Sequence, residues 1–340
     1  MYSLNSISEF KKLVNNRICE TNTGEVLQDV SESGKVRNWD KKKDMNLGMA
    51  DLYRKATLID ENLISPSRLQ QMESCASYLV FGNTEGKKKL VDANFCRVRL
   101  CPMCNWRKSL KMFSQVSEIT DLMMSEHKVR FIFLTLTVKN PIAEELTNTL
   151  NSMNEGFKWL VQKKITFASA RRLKENLLGY LKSTEITYNS KTDTYHPHFH
   201  ILLAVKSTYF KSGYIKQKEY QNMWKQALKL DYAPMVDVRV IKNATSKTIA
   251  EMSKYPTKTA DLLKIEDEDK AVKALITLHR AMFKRRLVTF GGLFRDIKTR
   301  LELDDIEEGS LVHVETKQEQ LNNVAYTLFK YSANFGCYIC

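Results

Sequence analysis

Three of the chain's six histidines, His196, His198 and His200, alternate within the stretch HPHFHILLAV. The apolar run around them reads as a buried β-strand. Alternate residues of a strand share a face, so the three imidazoles line one side and Phe199, Ile201 and Leu203 the other. Neutral imidazole ligates divalent ions, and a row of imidazoles on a sheet is suited to hold one. A carboxylate reaches such a row most directly from a neighbouring strand. GYLKSTEITY, just upstream, is that strand, and NSKTDT turns the chain back. With residues 190–193 as the loop, Asn189 pairs with Thr194 and Glu185 falls opposite His198. Cross-strand partners share a face about 5 Å apart, which makes Glu185 a metal ligand beside His198 and His200. A slip of one residue would bring Ile186 there and expose apolar groups on both sides. His196 has three open roles: a third imidazole ligand, a hydrogen-bond partner of a ligand, or a contact to the bound substrate. The imidazole and carboxylate set suits Mn²⁺ or Mg²⁺, histidine favouring the first and cellular abundance the second.

A second constellation precedes it. Cys75, Cys96, Cys101 and Cys104 fall within thirty residues, and CRVRLCPMCNWRK has the two-residue gap with which two thiolates bite one tetrahedral ion. Cys75 comes from a preceding hairpin, YLVFG then KKKLVDANF. Four thiolates around a structural Zn²⁺ are the expectation. The rival, a redox CxxC, lacks the βαβ context that goes with it. Arg97, Arg99, Arg107 and Lys108 surround the cysteines, and a basic module of this kind suggests a contact to DNA, though a solvated basic surface explains it equally well.

The third is TIAEMSKYPTK. Glu251 and Tyr255 are four residues apart, one above the other on a helix, with Lys254 and Lys258 flanking the tyrosine. Nearby cations ease ionisation of a phenol, while Pro256 disfavours helix at Tyr255. A metal on an open sheet face can polarise a phosphodiester, a tyrosine can attack it, and a carboxylate can activate water.

The elements that must position these groups follow from periodicity. Helices are expected at 107–126, 143–163, 168–178 and 216–229, and strands at 131–140, 179–188, 196–205 and 233–242. In strand 131–140, Ile132, Leu134, Leu136 and Val138 face one side. The order β, α, β, β, α, β resembles a split βαβ plan, so the fold class is α+β: an antiparallel sheet with helices on one face and the histidines on the free face. Residues 1–65 read as a polar N-terminal arm with KKKD at 41–44 as linker and short helices near 47–59. Residues 66–115 form the cysteine module and 116–263 the catalytic domain. Residues 264–340 form a separate C-terminal α/β extension, with DNA binding or oligomerisation as its open roles.

The formal net charge of +14 is spread along the chain and favours a polyanionic partner, nucleic acid before an anionic membrane. At 43% hydrophobic residues with little Gly or Pro, the chain is globular rather than disordered. It has no apolar run of membrane-spanning length and no signal-peptide pattern at its start, so a cytoplasmic protein without membrane contact is expected.

The motifs taken together resemble a known family. His198-Phe199-His200 is a histidine–hydrophobe–histidine (HUH) motif, FLTLTV is similar to that superfamily's first motif, and EMSKYPTK to its tyrosine motif. With CRVRLCPMCNWR ahead of them, the chain resembles the rolling-circle replication initiators (Rep) of small bacterial plasmids, in the group that pairs one tyrosine with a glutamate four residues earlier. The resemblance covers roughly residues 70–265. It implies a site- and strand-specific DNA endonuclease with nicking and joining activity. Tyr255 would attack the scissile phosphate at the double-strand origin, keep the 5′ end and free a 3′-OH. His198, His200 and Glu185 would hold the metal, Glu251 would activate water for the terminating cleavage, and Lys258 would steady the phenolate or the phosphate. Lys254 would contact the DNA. Implied partners are plasmid origin DNA, single-stranded or supercoiled, a host helicase and polymerase, and a second copy in a homodimer. The competing readings are a relaxase or single-strand transposase of the same superfamily, and a non-enzymatic zinc-containing DNA-binding regulator.

Overall fold

The structure, a computed structural model, describes residues 24–31, 34, 36–84, 87–161, 168–242, 245–252, 259–314 and 325–340. Helix α1 (Trp39–Ile59) leads to the short α2 (Pro66–Glu73), which Ser65 caps from its hydroxyl and Pro66 opens at the first turn. The hairpin β1 (Tyr78–Thr84) and β2 (Lys87–Ala93) comes next, then the long α3 (Pro102–Glu126). β3 (Val129–Thr137), α4 (Ala143–Val161), α5 (Ala168–Asn176), β4 (Leu177–Asn189) and β5 (Thr194–Lys206) follow. The described chain continues through α6 (Gln217–Ala227), β6 (Val236–Ile241), α7 (Ser246–Met252), α8 (Thr259–Leu262), α9 (Glu268–Met282), β7 (Val288–Gly292), α10 (Leu293–Arg300), β8 (Ala325–Ser332) and β9 (Cys337–Ile339).

Two antiparallel sheets result. One has the order β6-β3-β5-β4-β7, so the four strands expected from the β, α, β, β, α, β pattern are contiguous, with β7 added at one edge. Alternation along its strands divides its two faces. Ile132, Leu134, Leu136, Phe199, Ile201 and Leu203 pack with Met153 and Phe157 of α4 and Trp224 of α6. On the opposite face, Phe131, Phe133, Leu181, Leu202 and Ala204 pack with Met112, Val116 and Ile119 of α3, Ile249 and Met252 of α7, and Phe294 of α10. The expectation of helices on one face alone is therefore corrected: both faces are covered. On the histidine face the apolar cover begins at Leu202, while Glu185, His198 and Thr137 further along the same face are buried polar residues.

The second sheet has the order β2-β1-β8-β9. It joins the cysteine hairpin to the C-terminal strands, and Val26 bridges to Ile339. One core draws Trp39, Met49 and Tyr53 of α1, the four cysteines, Leu275 and Leu278 of α9, and Phe329 and Tyr338 of the last strands. The tail thus does not stand apart, and this core crosses the boundaries expected at 65 and 263. KKKD at 41–44 is not linker either. It lies inside α1, where the buried Lys43 donates its Nζ to the carbonyls of Glu73 and Cys75, both at 2.8 Å.

Candidate active site and cysteine centre

The hairpin that builds the histidine site has the register expected from the sequence. The turn occupies 190–193, Asn189 pairs with Thr194, and Glu185 with His198. Asp193 takes φ +49°, a left-handed turn conformation that Asp tolerates, and accepts a hydrogen bond from Tyr188 Oη at 2.7 Å. Glu185 Oε2 lies 3.3 Å from His198 Nε2 and 3.2 Å from His200 Nε2. The other ring nitrogens are tied back. His198 Nδ1 donates to the His196 carbonyl at 3.2 Å, and His200 Nδ1 lies 3.4 Å from Thr135 Oγ1, with its ring stacked on Phe133. An Nδ1 that donates to a carbonyl carries the proton, which leaves the lone pair on Nε2. In neutral His198 that lone pair faces a carboxylate oxygen, an arrangement that a cation between them relieves. Donors about 2.0–2.2 Å from one ion stand about 3 Å apart on an octahedron and about 3.4 Å on a tetrahedron. The two separations lie between these values, so Glu185 with either histidine fits a shared divalent ion, and all three donor atoms lie within 4.8 Å of one another.

His196 is outside this group. Its Nδ1 turns away to Asn140 Oδ1 at 2.8 Å, while its backbone carbonyl orients His198. Glu251 is half-buried on α7, whose Ile249 and Met252 pack on the histidine face of the sheet. Tyr255, Lys254 and Lys258 lie outside the described residues.

The four cysteines meet as their spacing predicts. Cys75 Sγ is 3.6 Å from Cys104 Sγ and 3.7 Å from Cys101 Sγ, and Cys96 Sγ is 3.7 Å from Cys104 Sγ. Thiolates about 2.3 Å from a shared Zn²⁺ stand about 3.8 Å apart, whereas a disulfide would bring two sulfurs to about 2.0 Å. Local backbone makes the cage. Cys101 caps α3, with Pro102 at its first turn, and its sulfur accepts the Cys104 N–H. Arg97, at φ +58°, aims its N–H at Cys104 Sγ, 3.2 Å away. Burial and the neighbouring sulfurs push the Cys101 thiol well up. At Cys104 burial also acts upward, but hydrogen bonds from the other sulfurs and from Arg97 N–H outweigh it and hold that thiol well below its ordinary value.

The sequence of the whole chain can now be set beside known proteins. A family model described as a replication protein (Rep_1) matches residues 87–338. The chain belongs to the Rep family of replication proteins. "Protein rep" of Streptococcus pneumoniae is 38% identical over 309 residues, covering 88% of this chain and 91% of the relative. "Protein rep" of Bacillus amyloliquefaciens is 36% identical over 332 residues, covering 90% and 94%. "Protein rep" of Lactiplantibacillus plantarum is 37% identical over 325 residues, covering 91% and 97%. No solved structure matches. Among the described residues, no helix is long and apolar enough to cross a membrane.

For a nucleic-acid partner, the basic residues around the cysteines were the expected contacts, and the structure corrects part of that. Arg107 and Lys108 are only 2% and 3% exposed. Arg107 donates to the carbonyls of Leu311 and Val312 at 2.9 and 2.8 Å and lies over the rings of Trp39 and Trp106. Arg99 pairs with Glu307 at 2.6 Å, and the exposed Arg97 donates to the Glu308 carbonyl. These arginines fasten residues 307–312 to the cysteine centre. For the buried Arg107 and the largely buried Arg99 the charge is spent inside the protein, because burial obliges their N–H groups to find acceptors.

Several supporting residues were missed. Thr135 shares the histidine face of a strand whose alternation was read correctly, so periodicity could have found it. Asn140 follows that strand's end. Lys43 and Asn46, which hold the Cys75 segment through backbone carbonyls, and Glu307 carried no signal, because their partners are remote in sequence.

Proposed function

We propose that this Rep-family chain is a plasmid rolling-circle replication initiator, a cytoplasmic enzyme that nicks and rejoins one strand at the double-strand origin. The observation that carries the reading is the convergence of Glu185, His198 and His200, with donor atoms within 4.8 Å of one another, at the edge of the sheet's apolar cover. A Mn²⁺ or Mg²⁺ ion held there would polarise and orient the scissile phosphodiester. Glu185 supplies the charge, His198 and His200 are fixed in orientation by the His196 carbonyl and Thr135, and His196 braces the loop through Asn140. Tyr255 Oη attacks phosphorus and gives up its proton. The P–O3′ bond breaks, the 3′ oxygen takes a proton, and the 5′ phosphate stays on the tyrosine. Lys258 balances charge on the phenolate or the phosphate, and Lys254 contacts the strand. Glu251, on the helix over the same face, takes a proton from water in the terminating cleavage. Zn²⁺ in the four-cysteine cage would be structural. Origin DNA, a host helicase and polymerase, and a second copy are the partners this reading implies.

The test uses labelled single-stranded or supercoiled origin DNA with Mn²⁺ or Mg²⁺. The wild type should form a covalent protein–DNA adduct, and Tyr255→Phe and His198→Ala should not. Glu251→Ala should nick once and fail to terminate. Binding without any strand break by the wild type would overturn the reading.

A further inference from the structure

A cleft of about 230 Å³ opens beside the edge strand β7, bounded by α10 and the turn around Asp305. Register relates it to the histidine site. Ser183 pairs with His200 on one side and with Val288 on the other, and Leu181 pairs with Phe290. Val288 and Phe290 therefore share the face of Glu185, His198 and His200. The Thr184 N–H donates to the Leu287 carbonyl at 2.8 Å, which keeps the chain in step beyond the ladder. The ladder ends at Ser183 and Val288, and Arg286, two residues before Val288, lies toward the Glu185 end of β4.

The cleft gathers three cations, Arg286, Arg295 and Lys298, against two carboxylates. The carboxylates are already engaged. Glu307 accepts the N–H groups of Leu287 and Val288 and pairs with Arg99. Asp305 Oδ1 accepts the N–H groups of Glu307 and Glu308, and its Oδ2 lies 3.4 Å from Arg286. The Arg286 and Arg295 side chains remain 64% and 69% exposed, with Arg295 Nε 3.7 Å from the likewise exposed Asp296 Oδ1. Lys298 spends one Nζ hydrogen on the Leu303 carbonyl at 2.9 Å and lies 5.8 Å from the Phe290 ring centre. The result is a shelf of basic donors with an aromatic side chain among its walls. Its small size suits a segment of a single strand rather than a duplex.

We propose that this cleft is a phosphate subsite for single-stranded DNA. Lys298 and Arg295 hold a backbone phosphate of the strand that passes the Glu185/His198/His200 site, with Arg286 on the side toward that site. The placement relative to a nick rests on the nicking reading. The binding itself does not.

Binding is therefore measured in a Tyr255→Phe background, where no cleavage occurs. The probe is a fluorescent single-stranded oligonucleotide spanning the plasmid's own origin, titrated at several salt concentrations. For single strands each phosphate contact contributes about 0.7 to the slope of log affinity against log salt. Arg286→Ala and Lys298→Ala should each reduce the slope by about that amount and weaken binding roughly three- to tenfold near 0.1 M salt. Position is tested by replacing one phosphate at a time with a neutral methylphosphonate, which needs no protein variant. One position should weaken binding to the parent protein yet have no effect on Lys298→Ala. An unchanged salt slope in both variants, or the same methylphosphonate profile in Lys298→Ala as in the parent, would overturn the proposal. Absence of a covalent adduct with intact Tyr255 would instead count against nicking and leave this result standing.

Discussion

Replacing Glu307 probes the joint between the cysteine-centred core and the five-stranded sheet. Its side chain is 7% exposed. Oε1 accepts the Leu287 and Val288 N–H groups at 2.7 and 3.1 Å, and Oε2 lies 2.6 Å from Arg99 Nη1. Arg99 belongs to the loop between Cys96 and Cys101, while Leu287 bonds to Thr184 of β4, the strand that carries Glu185. Hydrogen bonds to an ionised acceptor contribute about 1.5–3 kcal/mol each, and removing one partner of a buried ion pair costs about 3–5 kcal/mol. One carboxylate serves all three contacts, so these figures overlap, and Glu307→Ala is expected to cost about 4 kcal/mol. Glu307→Gln keeps an acceptor for the amides and should cost about 1–2 kcal/mol. The double variant Arg99→Ala/Glu307→Ala should lose at least about 1 kcal/mol less than the sum of the singles, because its second change removes a charge already unpaired. Urea unfolding followed by tryptophan fluorescence measures this, with Trp39 reporting from the cysteine-centred core and Trp224 from the sheet. A loss under about 1 kcal/mol for Glu307→Ala, or additivity in the double variant, would refute the joint.

Other outcomes follow from single contacts. The purified protein should carry one zinc per chain by elemental analysis, and Cys104→Ser should lose it. Four native thiols reacting freely with a disulfide reagent would contradict a zinc cage. Lys182 is buried beneath the sheet, 4.1 Å from the Phe199 ring centre, and burial, with Arg285 and Lys158, lowers its pKa to about 8. The unfolded chain then binds the extra proton between about pH 8 and 10.5, so this group's contribution is present above that window and lost as pH falls through about 8. Stability of Lys182→Met relative to wild type should therefore be greatest near pH 7 and narrow toward pH 10 in urea melts; a gap independent of pH would sink the idea. Gly292 has φ +55° and ψ −138°, and a Cβ there would meet the Leu178 carbonyl oxygen at 2.4 Å. Gly292→Ala should cost about 3 kcal/mol or more from backbone strain and that clash, read from the same melts.

The histidine hairpin was legible because two constraints act together. A period of two makes any slip expose a whole apolar face, and a four-residue loop leaves little freedom in register. Glu185 could thus be placed beside His198 without coordinates. The cysteine cage was legible because its four cysteines are close in sequence and clustered thiols have few other roles. The basic residues misled because charge is local in sequence while its neutralisation is not. Arg107 is covered by carbonyls some two hundred positions away, and no window of sequence shows that. The same holds for α1. Lys43 reads as solvated in KKKD, yet its ammonium closes the backbone of the Cys75 turn.

The free face of the sheet is the instructive error, because HPHFHILLAV already contained its correction. Along the even positions the strand reads His198, His200, Leu202, Ala204. From Ile201 onward both parities are apolar, the pattern of a strand buried on both faces. The histidine face is polar only in its first half and must be covered in its second, where Phe131 and Phe133 of β3 and Leu181 of β4 meet α3 and α10. The site begins at that boundary. His200 adjoins the apolar cover and stacks on Phe133, while Glu185 and His198, one step further along the same face, are buried. A metal held by Glu185, His198 and His200 would thus stand against the apolar cover rather than on a bare sheet, and the helices that remove the free face are what give the candidate site its edge.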